Sequence, residues 1–263
     1  MQYEDYKHIR FARNGKVLTV TLDRPEVLNA VNGRLHLELS NLFYDIATDP
    51  AEIIVLTGAG RAFCAGGDID WMQEGVDDPA MFEAVGHEGK KVIFGLLDLE
   101  KPIICRLNGD AVGLGATIAL FCDIIIARDD ARIGDPHVSV GLVAGDGGAV
   151  IWPQLIGYAR AKEYLMTGKL MAAKDAVQMG LINHAVPAEA LDAEVDRMAS
   201  RLAKGAGKAI RWTKVSVNIG LKQLAHTIMD TSISYELMSN MSKDHREAVA
   251  AFREGRKPQF TGE

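Results

Sequence analysis

The 263-residue chain has little cysteine and no excess of basic residues. Its three cysteines, Cys64, Cys105 and Cys122, form no CxxC pair and no Cys/His ligand spacing. Neither a disulfide framework nor a metal site is therefore expected. The net charge of −6 excludes a general nucleic-acid binder, whose surface would be basic. One local basic patch for a phosphorylated ligand is still compatible with this charge.

Membrane and export signals are also missing from the sequence. The longest apolar stretch, residues 116–127, is too short to cross a bilayer and is interrupted by Asp123. The N-terminal sequence MQYEDYKHIR has no apolar segment of the kind that a secretory signal carries. We therefore expect a cytoplasmic protein without membrane partners. Hydrophobic residues make up 48% of the chain, which is enough for a full-sized core.

Apolar runs of two kinds alternate along the first two thirds of the chain and predict an α/β fold. Strand-like runs lie at 17–23, 53–58, 103–109 and 123–134, with helical spacing at 35–48 and 82–99. This alternation is typical of parallel βαβ units. After Pro187 only helical patterns follow, at 190–206, 208–221, 225–242 and 245–257. We therefore predict an α/β core at 1–186 and a helical region at 187–263 that can pack on a neighbouring subunit.

Two glycine-rich segments each follow a predicted strand. They are RAFCAGGDID at 61–70 and NGDAVGLGATIALFCD at 108–123. Each fits a strand-to-helix turn with free backbone N–H groups at the start of the helix. Two such amides can stabilise an oxyanion on a carbonyl group. The same glycines also fit two tight turns without a function. Neither segment has the GK[ST] of a phosphate loop or the spacing of a dinucleotide fingerprint.

The stretch GDPHVSVGLVAGDGG, residues 134–148, contains His137 and, nine residues later, Asp146. A histidine oriented by a carboxylate is a suitable general base for activating water. The alternative is a purely structural role, in which His137 only begins a short helix and Asp146 only caps the next one. If His137 is the base, activity should fall as the pH drops through its ordinary pKa, about 6.5. His36 has no partners nearby in the sequence and is expected to be a surface or packing residue.

The order of the motifs resembles the crotonase family, the enoyl-CoA hydratase/isomerase superfamily. The matching segments are RPEVLNAV (24–31), AFCAGGDI (62–69), KPIICRLNGDAVGLG (101–115), CDIIIA (122–127), YLMTG (164–168), GLIN (180–183) and FREGRKPQFTG (252–262). They cover nearly the whole chain. The resemblance implies a ββα spiral core and acyl-CoA substrates, with CoA as part of the substrate and no separate cofactor. It also implies a homotrimer, or a dimer of trimers, held by the C-terminal helices.

The resemblance also implies roles for individual residues. The family's oxyanion-hole amides correspond to Gly67 and Leu114. Contacts to the thioester and to CoA correspond to Arg24, Ala65, Gly67, Asp68, Ile69, Asp70, Leu114 and Lys257. Arg24 and Lys257 would face the CoA phosphates, because a cationic side chain pairs with phosphate oxygens.

The resemblance breaks where hydratases carry their two glutamates. Those positions hold Thr117 and, after Pro136, His137. The stretch GDPH…GDGG instead resembles the oxocamphor hydrolase branch, which cleaves cyclic β-diketones with a histidine and an aspartate at the places of His137 and Asp146. That branch has a histidine where this chain has Leu114, and its substrates carry no CoA.

Three functions follow from this mixed pattern. The first is an acyl-CoA lyase or isomerase that uses His137 and Asp146 instead of the glutamate pair. The second is a reverse-Claisen hydrolase that breaks a C–C bond in a β-diketone or a β-ketoacyl-CoA. The third is a non-catalytic subunit that only binds acyl-CoA.

Overall fold

A computed structural model describes residues 2–263, and for residues 82 and 83 it describes the backbone alone. The strands are β1 (Ile9–Asn14), β2 (Val17–Leu22), β3 (Ile53–Gly58), β4 (Ile103–Leu107), β5 (Ala111–Val112), β6 (Ile124–Arg128), β7 (Arg132–Gly134), β8 (Met171–Ala172) and β9 (His184–Val186). The α-helices are α1 (Gly33–Asp45), α2 (Ile69–Asp77), α3 (Phe82–Asp98), α4 (Leu114–Leu120), α5 (Gly148–Thr167), α6 (Ala173–Met179), α7 (Leu191–Ala203), α8 (Gly207–Asn240) and α9 (Lys243–Glu254). The chain therefore alternates strands and helices up to β9 and is helical beyond it, as predicted.

The larger sheet has six strands in the order β1-β2-β3-β4-β6-β9. β1 and β2 form an antiparallel hairpin, and every other neighbouring pair is parallel. A second sheet of three short strands has the order β5-β7-β8. The predicted α/β class with parallel units is confirmed.

Helices cover both faces of the larger sheet, which explains why its central strands are continuously apolar. In β3, Ile54 and Leu56 belong to the main core, whereas Ile53 and Val55 pack with Leu191 of α7. All six residues of β3 are buried. The start of the predicted helical region thus lies directly on the sheet. Further along, α8 packs against α3 and α9 packs against α2.

Two sequence patterns have a different structure from the one predicted. The run at 123–134 forms two strands in separate sheets, because a turn closed by the Ala131 N–H and the Arg128 carbonyl divides it. The patterns at 208–221 and 225–242 form one 34-residue helix, α8. Gly220 alone does not end that helix. None of the helices in residues 2–263 combines the length and the apolar character that a bilayer crossing needs.

Candidate active site

The two glycine-rich turns lie against each other. An isolated parallel bridge joins Cys64 to Ala111, and the Val112 N–H donates to the Cys64 carbonyl at 2.9 Å. Gly66 and Gly113 both have positive φ, 89° and 55°. A Cβ added to Gly66 would lie 3.1 Å from the Val112 carbonyl oxygen. Glycine is therefore needed here for its backbone conformation and for close approach.

This contact brings the amides of Gly67 and Leu114 to the same cavity. Gly67 follows the first turn, and Leu114 is the first residue of α4 after the second turn. Both residues line the cavity. Within residues 2–263 neither N–H donates to another backbone group. The two amides are thus free to bind an oxygen atom, as an oxyanion hole requires.

His137 lies beside the second turn, between two aspartates. Its Nδ1 is hydrogen-bonded to Asp135, whose side chain is fully buried. Its Nε2 lies 3.6 Å from Asp146 Oδ2 and 3.9 Å from Glu236 Oε1. A Cβ on Gly113 would lie 3.6 Å from His137 Cε1, so the ring is next to the second glycine-rich turn.

Asp146 is held by groups from two other segments. The Thr117 hydroxyl donates to Asp146 Oδ1 at 3.2 Å, and the Gly148 N–H also donates to this carboxylate. Thr117, which the resemblance places at the position of a missing glutamate, thus orients the aspartate. The N-cap position of α5 is Gly147, but Asp146 accepts a hydrogen bond from Gly148, the first residue of that helix. Asp146 therefore supports the helix start and also faces His137.

Glycines in the turn at 145–148 allow two carboxylates to approach the turn closely. A Cβ on Gly148 would lie 2.2 Å from Asp135 Oδ2, and one on Gly145 would lie 2.8 Å from the Glu236 side chain. The Gly145 carbonyl also accepts a hydrogen bond from Ser232 of α8, at 2.8 Å. The GDGG sequence therefore joins the core to α8 and places Glu236 near His137.

Burial and mutual charge shift the pKa of each group in this cluster. Burial opposes a charged imidazole, but the carboxylates of Asp135 and Asp146 outweigh it and raise the pKa of His137 well above its ordinary value. Burial raises the pKa of Asp146, and the charge of His137 opposes this rise. Burial and the negative charge of Asp146 raise the pKa of Glu236 to about 8. Groups that interact this strongly exchange protons as a unit.

A cavity of about 90 Å³ opens onto the amides and the cluster. Most of its wall is apolar, and its polar side chains come from four different parts of the chain. Lining residues are Val31, His36, Gly67, Trp71, Met72, Val85, Gly86, Gly89, Leu114, His137, Leu142, Asp146, Ile233, Glu236, Leu237 and Asn240. Four of the residues predicted for catalysis, Gly67, Leu114, His137 and Asp146, therefore share one cavity.

Asp135, His137 and Asp146 also form the one group in the described part of the chain whose ligand atoms could hold a metal ion. These atoms lie within 4.8 Å of one another. The two aspartates, however, approach opposite nitrogens of the same imidazole ring. The ring therefore lies between them, which suits a shared proton better than a single ion bound by all three.

The predicted CoA contacts are more scattered than the catalytic residues. Arg24 pairs with Asp68 at 3.0 Å, with both side chains largely buried, and Asp68 also caps α2 by accepting from the Asp70 N–H. Ile69 and Asp70 form the first turn of α2, and neither lines the cavity. Ala65 lines a separate groove. Lys257 is exposed, three residues after the end of α9.

Sequence reasoning missed three groups at this site. Asp135 is two residues before His137, and that short spacing was the available signal. Glu236 is the only acidic residue between Asp230 and Asp244, in an otherwise apolar and small-residue stretch of α8. His36 was expected to be a surface or packing residue. It is buried, lines the cavity and has Glu88 as its partner, 52 positions away in the sequence.

The chain resembles known proteins over nearly its whole length. The family model described as enoyl-CoA hydratase/isomerase matches residues 12–263. A crotonyl-CoA hydratase of Syntrophomonas wolfei is 33% identical over 97% of this chain and 98% of that protein.

Two solved structures have the same fold. An enoyl-CoA hydratase/isomerase from Mycobacterium paratuberculosis has a TM-score of 0.89 and 36% identity, covering 92% of this chain and 97% of its own. A beta-diketone hydrolase from the cyanobacterium Anabaena, bound to (S)-3-oxocyclohexyl acetic acid, has a TM-score of 0.84 and 30% identity, covering 91% and 96% of the two chains.

Proposed function

The chain belongs to the enoyl-CoA hydratase/isomerase family. We propose that it adds activated water to the C=C bond of the enoyl group in an acyl-CoA thioester. The thioester oxygen, negative in the enolate, is bound by the amides of Gly67 and Leu114. The observation that carries this proposal is that His137, flanked by Asp135 and Asp146, shares the cavity with both amides. Preorganised amides stabilise the charge that develops on the thioester, and an oriented histidine–carboxylate pair handles protons.

The spacing of the cluster suits one bound water molecule. His137 Nε2 is 3.6 Å from Asp146 and 3.9 Å from Glu236, which is too long for direct hydrogen bonds but short enough for a bridging water. The water oxygen bonds to the β carbon of the enoyl group. One water proton passes to the His137–Asp146 pair. Glu236, which is uncharged at neutral pH, gives a proton to the α carbon.

The raised pKa of His137 changes the expected pH dependence. With an ordinary pKa, His137 would lose activity below about pH 6.5. Because the carboxylates around His137 hold its pKa well above that value, a loss of activity at about pH 6.5 is not expected from His137 alone. His137 and Asp146 accept the proton as a coupled pair, so the acid limb of the rate reports the pair, and the alkaline limb follows Glu236.

A second candidate is cleavage of a C–C bond. It is favoured by the likeness to the beta-diketone hydrolase and by the missing glutamate at Thr117. Here the water oxygen bonds to a β-carbonyl carbon, and the bond between the α and β carbons breaks. Its electron pair forms the same enolate, which takes the proton of Glu236. From a β-ketoacyl-CoA the products are a carboxylic acid and a shortened thioester, whereas a cyclic β-diketone gives a single ring-opened keto acid.

One experiment tests both candidates. Purified protein is incubated with crotonyl-CoA, with a β-ketoacyl-CoA and with a cyclic β-diketone, and products are measured by mass spectrometry. Whichever substrate is turned over, His137→Ala and Asp146→Asn should each lower kcat by ~10²–10⁴-fold. Wild-type rates in both variants would contradict the proposal. Tight thioester binding without turnover of any substrate would favour the non-catalytic binding subunit.

We further propose that CoA is held by exposed basic residues such as Lys257, with Ala65 to Asp70 contacting its thioester end, and that the protein is a homotrimer or a dimer of trimers. Support for assembly comes from α8, which exposes several large apolar side chains, and such patches mark interaction surfaces. They are Trp212, Val217, Ile219, Tyr235 and Met238. Light scattering at micromolar concentration should give at least the trimer mass, and a monomer mass would contradict the assembly.

A further inference from the structure

A second histidine–carboxylate pair lies in the wall of the cavity, apart from the His137 cluster. His36 of α1 is hydrogen-bonded through Nδ1 to Glu88 Oε2 of α3, at 2.6 Å. The His36 side chain is only 4% exposed, yet it lines the cavity that contains Gly67 and His137. The proposed reaction uses neither residue of this pair.

In the described part of the chain, His36 has a hydrogen-bond partner at Nδ1 and none at Nε2. Beside Nε2 lies Gly89, which also lines the cavity and whose added Cβ would be 4.0 Å from this nitrogen, so the glycine leaves the nitrogen uncovered on that side. Trp71 packs beside the ring, with centroids 5.2 Å apart, and Val31 and Val85 continue the apolar wall. If the His36–Glu88 hydrogen bond served only to connect α1 to α3, His36 would need Nδ1 alone. The position of Nε2 at an apolar cavity would then have no purpose.

Asn240 gives an independent indication that the cavity binds a polar group. It is 5% exposed, lines the same cavity, and its Oδ1 has no hydrogen-bond partner in the described part of the chain. An unpaired buried polar atom destabilises the protein, and a ligand that donates a hydrogen bond to Asn240 Oδ1 would remove that cost. Two hydrogen-bonding side chains in a largely apolar pocket are typical of a site that selects its ligand by polarity.

We propose that His36 Nε2, oriented by Glu88, binds a hydroxyl or carbonyl oxygen on the acyl chain, and that the substrate is an oxygen-substituted acyl-CoA. This inference rests on the proposed function, because it assumes that the acyl group of a thioester occupies the cavity. A plain hydrocarbon chain would leave His36 and Asn240 without partners, whereas an oxygenated chain would satisfy at least one of them. His36 is thus a specificity residue and takes no part in the reaction itself.

Binding measurements separate this inference from the reaction. Hexanoyl-CoA is compared with its hydroxy and oxo derivatives at the penultimate carbon, none of which needs to be turned over, by titration calorimetry. At least one oxygenated thioester should bind the parent protein about 10-fold more tightly than hexanoyl-CoA. In His36→Leu this preference should shrink to within about 2-fold. Exposed His87 is next to Glu88 and provides the matched control, His87→Leu, which should keep the preference.

The possible outcomes are distinct. Tighter binding of the hydroxy compound alone identifies Nε2 as an acceptor, because a ketone oxygen cannot donate, whereas tighter binding of the oxo compound identifies Nε2 as a donor. If His36→Leu does not fold, Glu88→Gln should weaken the preference by loosening the ring. No preference in the parent protein, or an undiminished one in folded His36→Leu, would overturn the inference. So would a failure of all three thioesters to bind. A His36-dependent preference without any turnover would overturn only the proposed reaction.

Discussion

The two sides of the cavity are built in different ways. The core side consists of Gly67, Leu114, His137 and Asp146, which come from turns between 64 and 148 and are fixed by close backbone contacts. The helix side consists of His36, Glu88, Glu236 and Asn240, which come from α1, α3 and α8. In the proposed reaction, the core side binds the enolate and accepts the proton of water. In the same proposal, the helix side selects the acyl chain through His36 and supplies a proton through Glu236.

After the His137 and Asp146 variants, the largest effect is expected on the core side, from removing one proposed oxyanion-hole donor. Gly67→Pro deletes the N–H, and losing one such donor costs ~10²–10³-fold in kcat. Gly67→Ala is the matched control, because it keeps the N–H and meets only the flexible Met72 methyl, at 2.6 Å. Its kcat should stay within about 10-fold of the parent if Met72 moves aside. A folded Gly67→Pro protein with full activity would show that this amide is not part of the site.

On the helix side, the next effect should come from Glu236. In the parent protein the rate should fall as the pH rises through about 8, because the Glu236 carboxyl, with its raised pKa, then loses the proton that it supplies. Glu236→Gln cannot supply that proton, so kcat should drop by ~10²-fold and the alkaline limb near pH 8 should disappear. Asp230→Asn, an exposed carboxylate on the same helix, is the control and should keep the limb. If the fall in rate near pH 8 persisted in Glu236→Gln, another group would be responsible for it.

The same division explains how much could be predicted from the sequence. Core-side residues lie in short segments whose glycine turns and family-like motifs can be recognised in the sequence. The four residues predicted there, Gly67, Leu114, His137 and Asp146, share one cavity. The helix-side residues have no local signal. His36 and Glu88 are 52 positions apart, and Glu236 reaches His137 across 99 positions only because α8 packs on the GDGG turn.

For the fold, too, elements with a local sequence pattern were predictable and elements that depend on distant contacts were not. The predicted bounds of β3, β4 and α3 agree with the structure to within two residues. Burial on both sheet faces makes the apolar pattern of the two strands strong. The two-residue strands β5 and β8 have no pattern of their own. They exist because the chain on either side places them next to β7.

A smaller effect, on stability, tests the junction between the two sides. In Gly145→Ala the new Cβ would lie 2.3 Å from the Ser232 carbonyl oxygen, so α8 must move away from the turn. Such overpacking should lower the free energy of unfolding by about 1–3 kcal/mol. Gly220→Ala is the control on the same helix, since nothing lies within 4 Å of its Cβ. It should be neutral or raise stability by up to about 1 kcal/mol. Equal stability of the two variants in urea would show that the junction is not tightly packed.

The smallest effect is expected outside the cavity, at the proposed CoA contacts. Lys257 is exposed, so Lys257→Ala should raise KM for an acyl-CoA by about fivefold or less, because a solvated ion pair contributes at most about 1 kcal/mol. The increase should shrink in high salt, which screens exposed charges. Arg24 differs because it is largely buried and paired with Asp68. Arg24→Ala should therefore lower the free energy of unfolding and also raise KM. If Lys257→Ala raised KM equally for a β-diketone without CoA, Lys257 would not be a phosphate contact, and the basic tail would have no part in distinguishing the two substrates.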